Sequence, residues 1–222
     1  MIRTETLHNV RDMGGWKTTD GGTLKYDRLF RGGQLNRDKT ISQGDVDLLK
    51  NFLGIKADVD LRWLSELNNG TPDDPSDDIL YTPLGEGVQY MDFPVNLYDL
   101  ANSDPAVWKQ NLEFIMDNVI EGKACYIHCA AGADRTGTTC FLLESVLGVS
   151  EEDVCKDYEL TSFSVYGRRI RTQANAYALM LGYMYNNVEG DNLKAKAENF
   201  LTGTFGIPME KIEAFRDAMI VK

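Results

Sequence analysis

The sequence has few of the residues that build metal sites and no apolar run that could span a membrane. Only two of its 222 residues are histidines, and its four cysteines show no Cys-x-x-Cys spacing, so a zinc site is not expected. No apolar run approaches the ~18 residues needed to cross a bilayer, which predicts no membrane insertion. We expect neither a metal nor another cofactor.

Basic residues are also scarce. The chain has 23 lysines and arginines against 34 aspartates and glutamates, which gives a net charge of −11. This balance argues against nucleic acid or an anionic membrane as the main partner. An acidic chain that binds phosphate must therefore concentrate positive potential locally, through arginines, backbone N–H groups and the N-terminus of a helix.

The residues that follow Met1 lack the apolar core of a secretory signal. The expected compartment is therefore the cytoplasm by default. A secreted or periplasmic location stays open, because a leader can be removed from a mature chain.

Strand-like and helix-like segments alternate along most of the chain. This pattern predicts one α/β domain over residues 1–222, with a central mostly parallel sheet flanked by helices and a helical C-terminal third. Helix starts are predicted at Ser42, Asp104 and Ser150, which are suitable N-cap residues, and after Pro208. A loop rich in Asn, Asp, Pro and Gly is predicted at Asn68 to Asp78.

A long helical pattern covers residues 163–185, basic at its start and apolar at its end. Arg168, Arg169 and Arg171 could form a cationic rim on a helical lid of about residues 163–187. The alternative is an ordinary solvated helix face.

Residues 123–137 contain the strongest functional signal. Residues 124–127 form a short apolar run typical of a buried strand, and apolar residues recur at helical spacing beyond the loop that follows. A strand, a tight loop and a helix in this order present backbone N–H groups to an anion. Cys129 and Arg135 bracket the loop, with Gly132 between them. We interpret the other three cysteines as buried small hydrophobic residues.

These residue types suit phosphate chemistry. A free cysteine of pKa ~8.5 is mostly thiol, but at a helix N-terminus its pKa can fall to about 3.5–7.5. Arg135 can bind two phosphate oxygens at once, Gly132 leaves room for the backbone to approach, and the Thr136 hydroxyl can assist departure of the sulfur. The pattern predicts attack by Cys129 on phosphorus and hydrolysis of a phosphocysteine intermediate, without a metal.

A buried cysteine or a loop arginine alone is common and has an ordinary structural explanation, but the combination is specific. Residues 128–137 read His-Cys-x-x-Gly-x-x-Arg-Thr-Gly, which resembles the phosphate-binding loop of cysteine-dependent protein tyrosine phosphatases. The resemblance implies a phosphotyrosine-phosphatase-like fold and a loop that holds the substrate phosphate. The residues that it assigns to phosphate binding are Ala130, Ala131, Gly132, Ala133, Asp134 and Arg135.

Further segments resemble one bacterial branch, the tyrosine/serine phosphatase family that includes the secreted mycobacterial protein tyrosine phosphatase B. They are Asn-x-Arg-Asp-x-Gly-Gly at 9–15, Leu-Phe-Arg at 29–31, Val-Asp-Leu-Arg at 59–62 and Gly-Ile-Pro-x-x-Lys-Ile at 206–212. That branch is linked to phosphotyrosine, phosphoprotein and phosphoinositide hydrolysis. It usually carries a lysine where this chain has Ala133, and the loss of that cation argues against a phosphoinositide substrate.

The general acid has several candidates. The resemblance favours Asp134, inside the loop, whose alternative role is to fix the loop by accepting backbone N–H groups. Asp92, Asp99 and Asp104 precede the loop at plausible distances along the chain. Asp104 is also a predicted N-cap, and Asp99 fits a solvated loop.

Five more residues are candidates to support the loop. Asp60 and Arg62 end a strand beside the central one, and they either orient the loop and its arginine or form a local salt bridge. His128 either hydrogen-bonds near the thiolate or is a structural histidine. Asp12 and Arg31 are weaker candidates for a supporting role.

We predict a metal-independent cysteine phosphatase that acts on a phosphorylated protein or a small phosphomonoester. A protein tyrosine phosphatase fits best, and dual specificity stays open. The alternative on the same loop is a phosphoinositide or inositol phosphate phosphatase. Two other classes remain: a thiol enzyme of the arsenate reductase or sulfurtransferase type, and a phosphate-binding module without turnover.

Overall fold

The computed structural model describes residues 1–35, 41–63, 82–96, 98–102, 104–174 and 176–222. The elements within these ranges are β1 (Arg11–Asp12), β2 (Thr23–Leu24), β3 (Leu29–Gly32), α1 (Gln43–Asp47), a π-helical turn (Leu48–Phe52), β4 (Ile55–Asp60), β5 (Gln89–Asp92), α2 (Pro105–Ile120), β6 (Ala124–His128), α3 (Arg135–Val146), α4 (Glu151–Leu160), a 3₁₀ turn (Thr161–Phe163), α5 (Tyr177–Asn187), α6 (Leu193–Gly203), α7 (Met209–Met219) and β7 (Ile220–Val221).

Five strands form the central sheet in the order β1-β3-β6-β4-β5. The pairs β3–β6, β6–β4 and β4–β5 are parallel, and only the edge strand β1 runs antiparallel within this sheet. A separate antiparallel pair joins β2 to β7 near the C-terminus. The predicted α/β architecture with a mostly parallel sheet and a helical C-terminal part is confirmed.

The sheet packs on both faces, which explains why its central strand is a continuous apolar run. All five residues of β6 are buried, and so are all twelve residues of α3. A helix buried on every side lies at the centre of a domain rather than on its surface. The loop between β6 and α3 therefore rests on the most rigid part of the molecule. Across the described residues, none of the helices combines the length and apolar character needed to cross a bilayer.

The predicted helix starts are confirmed. Ser42 accepts a hydrogen bond from the backbone N–H of Asp45 at the start of α1. Asp104 caps α2 and Ser150 caps α4 in the same way, and α7 begins directly after Pro208. A short side-chain oxygen just before a helix satisfies N–H groups that have no partner within the helix.

The continuous helix predicted over residues 163–185 is wrong in its first half, because α5 begins only at Tyr177. The hydroxyl of Ser162 accepts from the N–H of Arg169 at 2.8 Å and donates to its carbonyl at 2.9 Å. This contact closes a loop, and Gly167 within it has a φ of +79°, a left-handed conformation that ends helices. The predicted loop at Asn68 to Asp78 lies outside the described residues, and α6 was not predicted.

Candidate active site

The 129–135 loop connects the C-terminal end of β6 to the N-terminus of α3. Cys129 is 3% exposed and Arg135 is 8% exposed, so both of these predicted site residues lie inside the protein. Gly132 has a φ of +64°, and a Cβ atom there would lie 2.0 Å from the carbonyl oxygen of Gly32. Only glycine therefore allows the loop to pack this closely against β3.

The pKa of the Cys129 thiol is lower than the ordinary cysteine value, although the side chain is buried. Burial on its own raises the pKa of the thiol, but the hydroxyl and N–H of Thr136 and the charge of Arg135 lower it. The backbone N–H of Gly132 acts in the same direction, and the net pKa lies below the ordinary value. Donors aimed at a sulfur stabilise its thiolate form, which is the nucleophile.

The other three cysteines behave differently. Each is a buried free thiol whose pKa is raised above its ordinary value, mainly by burial: Cys125, Cys140 and Cys155. The prediction that these three are buried small hydrophobic residues is confirmed. The contrast identifies the position at the helix N-terminus, rather than burial, as the source of the acidity of Cys129.

Arg135 is held by the end of β4. Its Nη1 donates to the carbonyl of Leu61 at 3.4 Å. The residues on either side of Leu61 form a bidentate ion pair, in which Arg62 Nε and Nη2 donate to Asp60 at 2.9 Å and 2.6 Å. The local salt bridge that the sequence allowed is thus present, and the backbone between its two partners contacts the arginine of the loop.

His128 lies among carboxylates at the end of β6. Its Nε2 is 2.9 Å from Asp58 Oδ1, and its Nδ1 is 3.8 Å from Asp60 Oδ1. Burial lowers the pKa of His128, but the two carboxylates outweigh it and the net pKa is raised. These contacts fit the structural alternative for His128, as a neighbour of two buried carboxylates.

The Asp134 side chain binds two residues from other segments of the chain instead of capping its own helix. It occupies the N-cap position of α3 without a side-chain capping bond. Arg169 Nε and Nη2 donate to its two oxygens at 3.1 Å and 3.3 Å, and the Tyr98 hydroxyl also donates to it. The carboxylate is 27% exposed. It therefore lies at the rim of the loop and is partly accessible to solvent.

The remaining predicted residues divide into two groups. Arg31 contacts the loop, because its Nη2 donates to the carbonyl of Gly132 at 3.0 Å. Asp12 instead accepts from the N–H groups of Gly14 and Asp27 at 2.6 Å and 2.8 Å, which holds the turn after β1. Within the loop, Ala133 is fully buried. In the part of the chain that is described, no group of three or more His, Cys, Asp or Glu side chains could hold a metal ion.

Sequence reasoning missed several residues around the loop. Asn9 donates to loop carbonyls, Asp157 binds two arginines behind the loop, and Tyr166 Oη donates to the carbonyl of Ala130 at 3.4 Å. Asn9 lies in the motif at residues 9–15, which the sequence shows, but nothing in that motif indicates that Asn9 binds the loop. Asp157 and Tyr166 lie more than 20 residues beyond the loop, and no local pattern links them to it.

A comparison with family models places the whole chain in one family. The tyrosine phosphatase family model matches residues 2–221. The chain therefore belongs to the tyrosine phosphatase family, in agreement with the loop geometry described above.

Individual relatives are more distant. A protein named "putative tyrosine-protein phosphatase" from Cupriavidus necator is 26% identical over 171 residues, which are 69% of this chain and 60% of that protein. Among solved structures, PTPMT1 in complex with PI(5)P has a TM-score of 0.46 at 13% identity and covers 80% of this chain and 94% of its own. TpbA of P. aeruginosa has a TM-score of 0.44 at 15% identity, with 76% and 96% covered. The family assignment rests on the match over residues 2–221.

Replacement of the loop glycine tests this geometry. Gly132→Ala places a methyl group against Gly32 in a left-handed conformation, so we expect the loop to shift and its N–H groups to lose their alignment. Removing one such donor costs about 100-fold or more in turnover. Turnover of an aryl phosphate and binding of vanadate are the measurements.

Gly203→Ala is the matched control. Gly203 is the last residue of α6, and a Cβ there meets no atom within 4 Å. We expect unchanged turnover and a gain in the free energy of unfolding of up to about 1 kcal/mol, because alanine favours a helix. Full activity in Gly132→Ala would contradict the packing described here.

Proposed function

We propose that this protein hydrolyses phosphomonoesters through a phosphocysteine intermediate, without a metal. The observation that carries the proposal is the set of donors around the buried Cys129: Arg135, the hydroxyl and N–H of Thr136 and the N–H of Gly132, which lower the pKa of a thiol that burial alone would raise. Arg135 and the N-terminus of α3 stabilise a thiolate and a phosphate dianion by the same means. A protein that only needed a buried cysteine would not gather these donors around it.

The reaction has two steps. In the first, the sulfur of Cys129 bonds to phosphorus, the bond between phosphorus and the ester oxygen breaks, and a proton from Asp134 passes to that oxygen. In the second, a water oxygen bonds to phosphorus, its proton passes to Asp134, and the phosphorus–sulfur bond breaks. Inorganic phosphate leaves and the thiolate returns. The Thr136 hydroxyl favours this last departure, because it stabilises the thiolate.

Asp134 is our proposed acid and base because it lies beside Arg135 at the rim of the loop. Its ion pair with Arg169 holds the carboxyl group in place at the rim. Asp104 and Asp99 have other tasks: Asp104 caps α2, and Asp99 accepts from the backbone N–H of Asn102.

Asp92 is the alternative acid. Burial, followed by the charge of Asp60, raises its pKa to about 6. It therefore carries a proton over part of the weakly acidic range. It ends β5, one strand further from β6 than Asp60.

For the substrate, we propose phosphotyrosine in proteins, with phosphoserine and phosphothreonine as slower substrates. An aromatic side chain lies at the loop: Tyr166 is beside Ala130 and packs edge-on against His8, and its chain neighbours Phe163 and Val165 are exposed. An aromatic contact of about 0.5–1.5 kcal/mol corresponds to about a two- to tenfold preference.

The rival functions have less support. A phosphoinositide or inositol phosphate carries more negative charge, whereas Arg169 is already paired with Asp134 and Arg171 with Glu159. A thiol reductase needs a second reactive cysteine, but burial raises the pKa of the nearest candidates to about 12: Cys125 and Cys140. A binding module without turnover has no need of an acidic thiol.

Three broader predictions belong to this proposal. Residues 1–222 form a single phosphatase domain. The segment of about residues 163–187 acts as a lid whose first part is a loop. The narrower kinship is with the bacterial branch that includes the mycobacterial enzyme, on the motif at residues 9–15 and the related segments.

The nucleophile is tested by Cys129→Ser. We expect release of phosphate from an aryl phosphate in the presence of a metal chelator, inhibition by vanadate, and complete loss of turnover in the variant, because a hydroxyl is a far weaker nucleophile at neutral pH. Cys155→Ser, at a buried cysteine of α4, is the control and keeps its activity. A requirement for a divalent metal, or turnover by Cys129→Ser, would refute the mechanism.

The acid is tested by Asp134→Asn. With a poor leaving group such as phosphotyrosine we expect turnover to fall by about 100- to 10,000-fold. With an activated aryl phosphate, whose leaving group needs no proton, we expect a much smaller loss. Asp92→Asn is the matched comparison, and the same leaving-group dependence in that variant alone would assign the role to Asp92.

Substrate preference is tested with peptides and lipids. We expect kcat/KM to be highest for a phosphotyrosine peptide, then the matched phosphoserine peptide, then a phosphoinositide. Tyr166→Leu should reduce the ratio between the two peptides, and Tyr26→Leu, at an exposed tyrosine between β2 and β3, should leave it unchanged. A phosphoinositide turned over fastest would replace the protein substrate in this proposal.

A further inference from the structure

The carbonyl groups of the 129–135 loop have buried donors of their own. The Nδ2 of Asn9 donates to the carbonyls of Ala131 and Gly132 at 3.1 Å and 2.9 Å. Arg31 Nη2 donates to the carbonyls of Gly132 and Ala133 at 3.0 Å and 3.4 Å. Three consecutive carbonyls are thus held from behind by two side chains.

These two donors are themselves fixed in place. Arg11 Nη1 donates to Asn9 Oδ1 at 2.6 Å, which turns the amide so that its NH₂ group faces the loop. Asp157 bridges the two arginines: it accepts from Arg11 Nε at 2.9 Å and from Arg31 Nη1 at 2.5 Å. All four side chains are at most 3% exposed. Bonds to charged donors are stronger than neutral ones, and in a dry interior they are costly to break.

The geometry of the peptide group links these contacts to the reacting sulfur. The carbonyl of one residue and the N–H of the next belong to the same plane and point in opposite directions. The carbonyl of Ala131, held by Asn9, therefore shares its peptide group with the N–H of Gly132. That N–H is one of the donors that stabilise the thiolate of Cys129. Pulling the carbonyl outward aims the N–H inward and polarises it.

We propose that Asn9 and Arg31 are positioning residues of the active site, which orient the N–H groups of the 129–135 loop toward the sulfur and the phosphate by holding its carbonyls from behind. Arg11 and Asp157 hold Asn9 and Arg31 in position. The inference rests on the proposed function for the identity of the anion. The orientation of the N–H groups toward Cys129 is independent of turnover.

The backbone conformation of Asn9 allows a substitution that removes only the side chain. Asn9 has a φ of 62°, a left-handed conformation that glycine adopts without strain. Asn9→Gly therefore removes the amide and leaves the local backbone in place. The control is Asn118→Ala in α2, which removes another buried amide whose Nδ2 donates to a backbone carbonyl, that of Phe114, at 2.9 Å.

The readout is the pH dependence of alkylation of Cys129 by iodoacetamide, which reports the thiol pKa without catalysis. In Asn9→Gly we expect that pKa to rise by about half a unit or more. We also expect KM for an aryl phosphate to rise and kcat to fall, because the same N–H groups bind the phosphate. Asn118→Ala should lower the unfolding temperature and leave the thiol pKa and KM unchanged.

A second variant, Arg31→Lys, tests the positioning role if Asn9→Gly does not fold. Arg31→Lys keeps the charge beside Asp157 and loses the forked donor, so we expect a shift of the same sign. An unchanged thiol pKa in the folded variants, with loss of stability alone, would overturn the proposal and leave these residues a structural role. If the wild type alkylates with a low pKa but releases no phosphate, the proposed function fails and the positioning role stands.

Discussion

A loop that turns its N–H groups inward to hold an anion must turn its carbonyl groups outward, and buried carbonyls require donors. This constraint explains why distant parts of the chain converge on the 129–135 loop. The N-terminal segment delivers Asn9, β3 delivers Arg31, and α4 delivers Asp157 to hold them. The N-terminal segment is itself tied down, because Asp45 accepts the backbone N–H groups of residues 5–7.

The same network reconciles an acidic protein with an anionic substrate. Burial, followed by the charge of Asp157, raises the pKa of Glu144 well above its ordinary value, which disfavours a second negative charge beside Asp157. The buried cluster holds the two guanidinium groups of Arg11 and Arg31 against the carboxylate of Asp157. A chain with a net charge of −11 thus gathers two arginines behind the 129–135 loop, where water does not screen them.

The sheet, the helix starts and the nucleophile loop could be predicted from sequence because each depends on a local pattern: an apolar run, a capping residue, or glycine between cysteine and arginine. The predicted helix over residues 163–185 failed because Ser162 binds the backbone of Arg169 and closes a loop where the pattern alone favours a helix. The partners of Asp134 could not be predicted either. Tyr98 and Arg169 each lie about 35 residues from it in sequence, and no local pattern selects one distant polar residue over another.

The rim of the loop pairs a carboxylate with an arginine from another part of the chain. The bacterial branch that this chain resembles usually carries a lysine at position 133, whereas Ala133 is fully buried here and Arg169 reaches Asp134 from the segment after α4. The cation beside the loop is therefore supplied by a distant segment of the chain instead of by the loop itself, and it depends on the tertiary packing that brings Arg169 to Asp134.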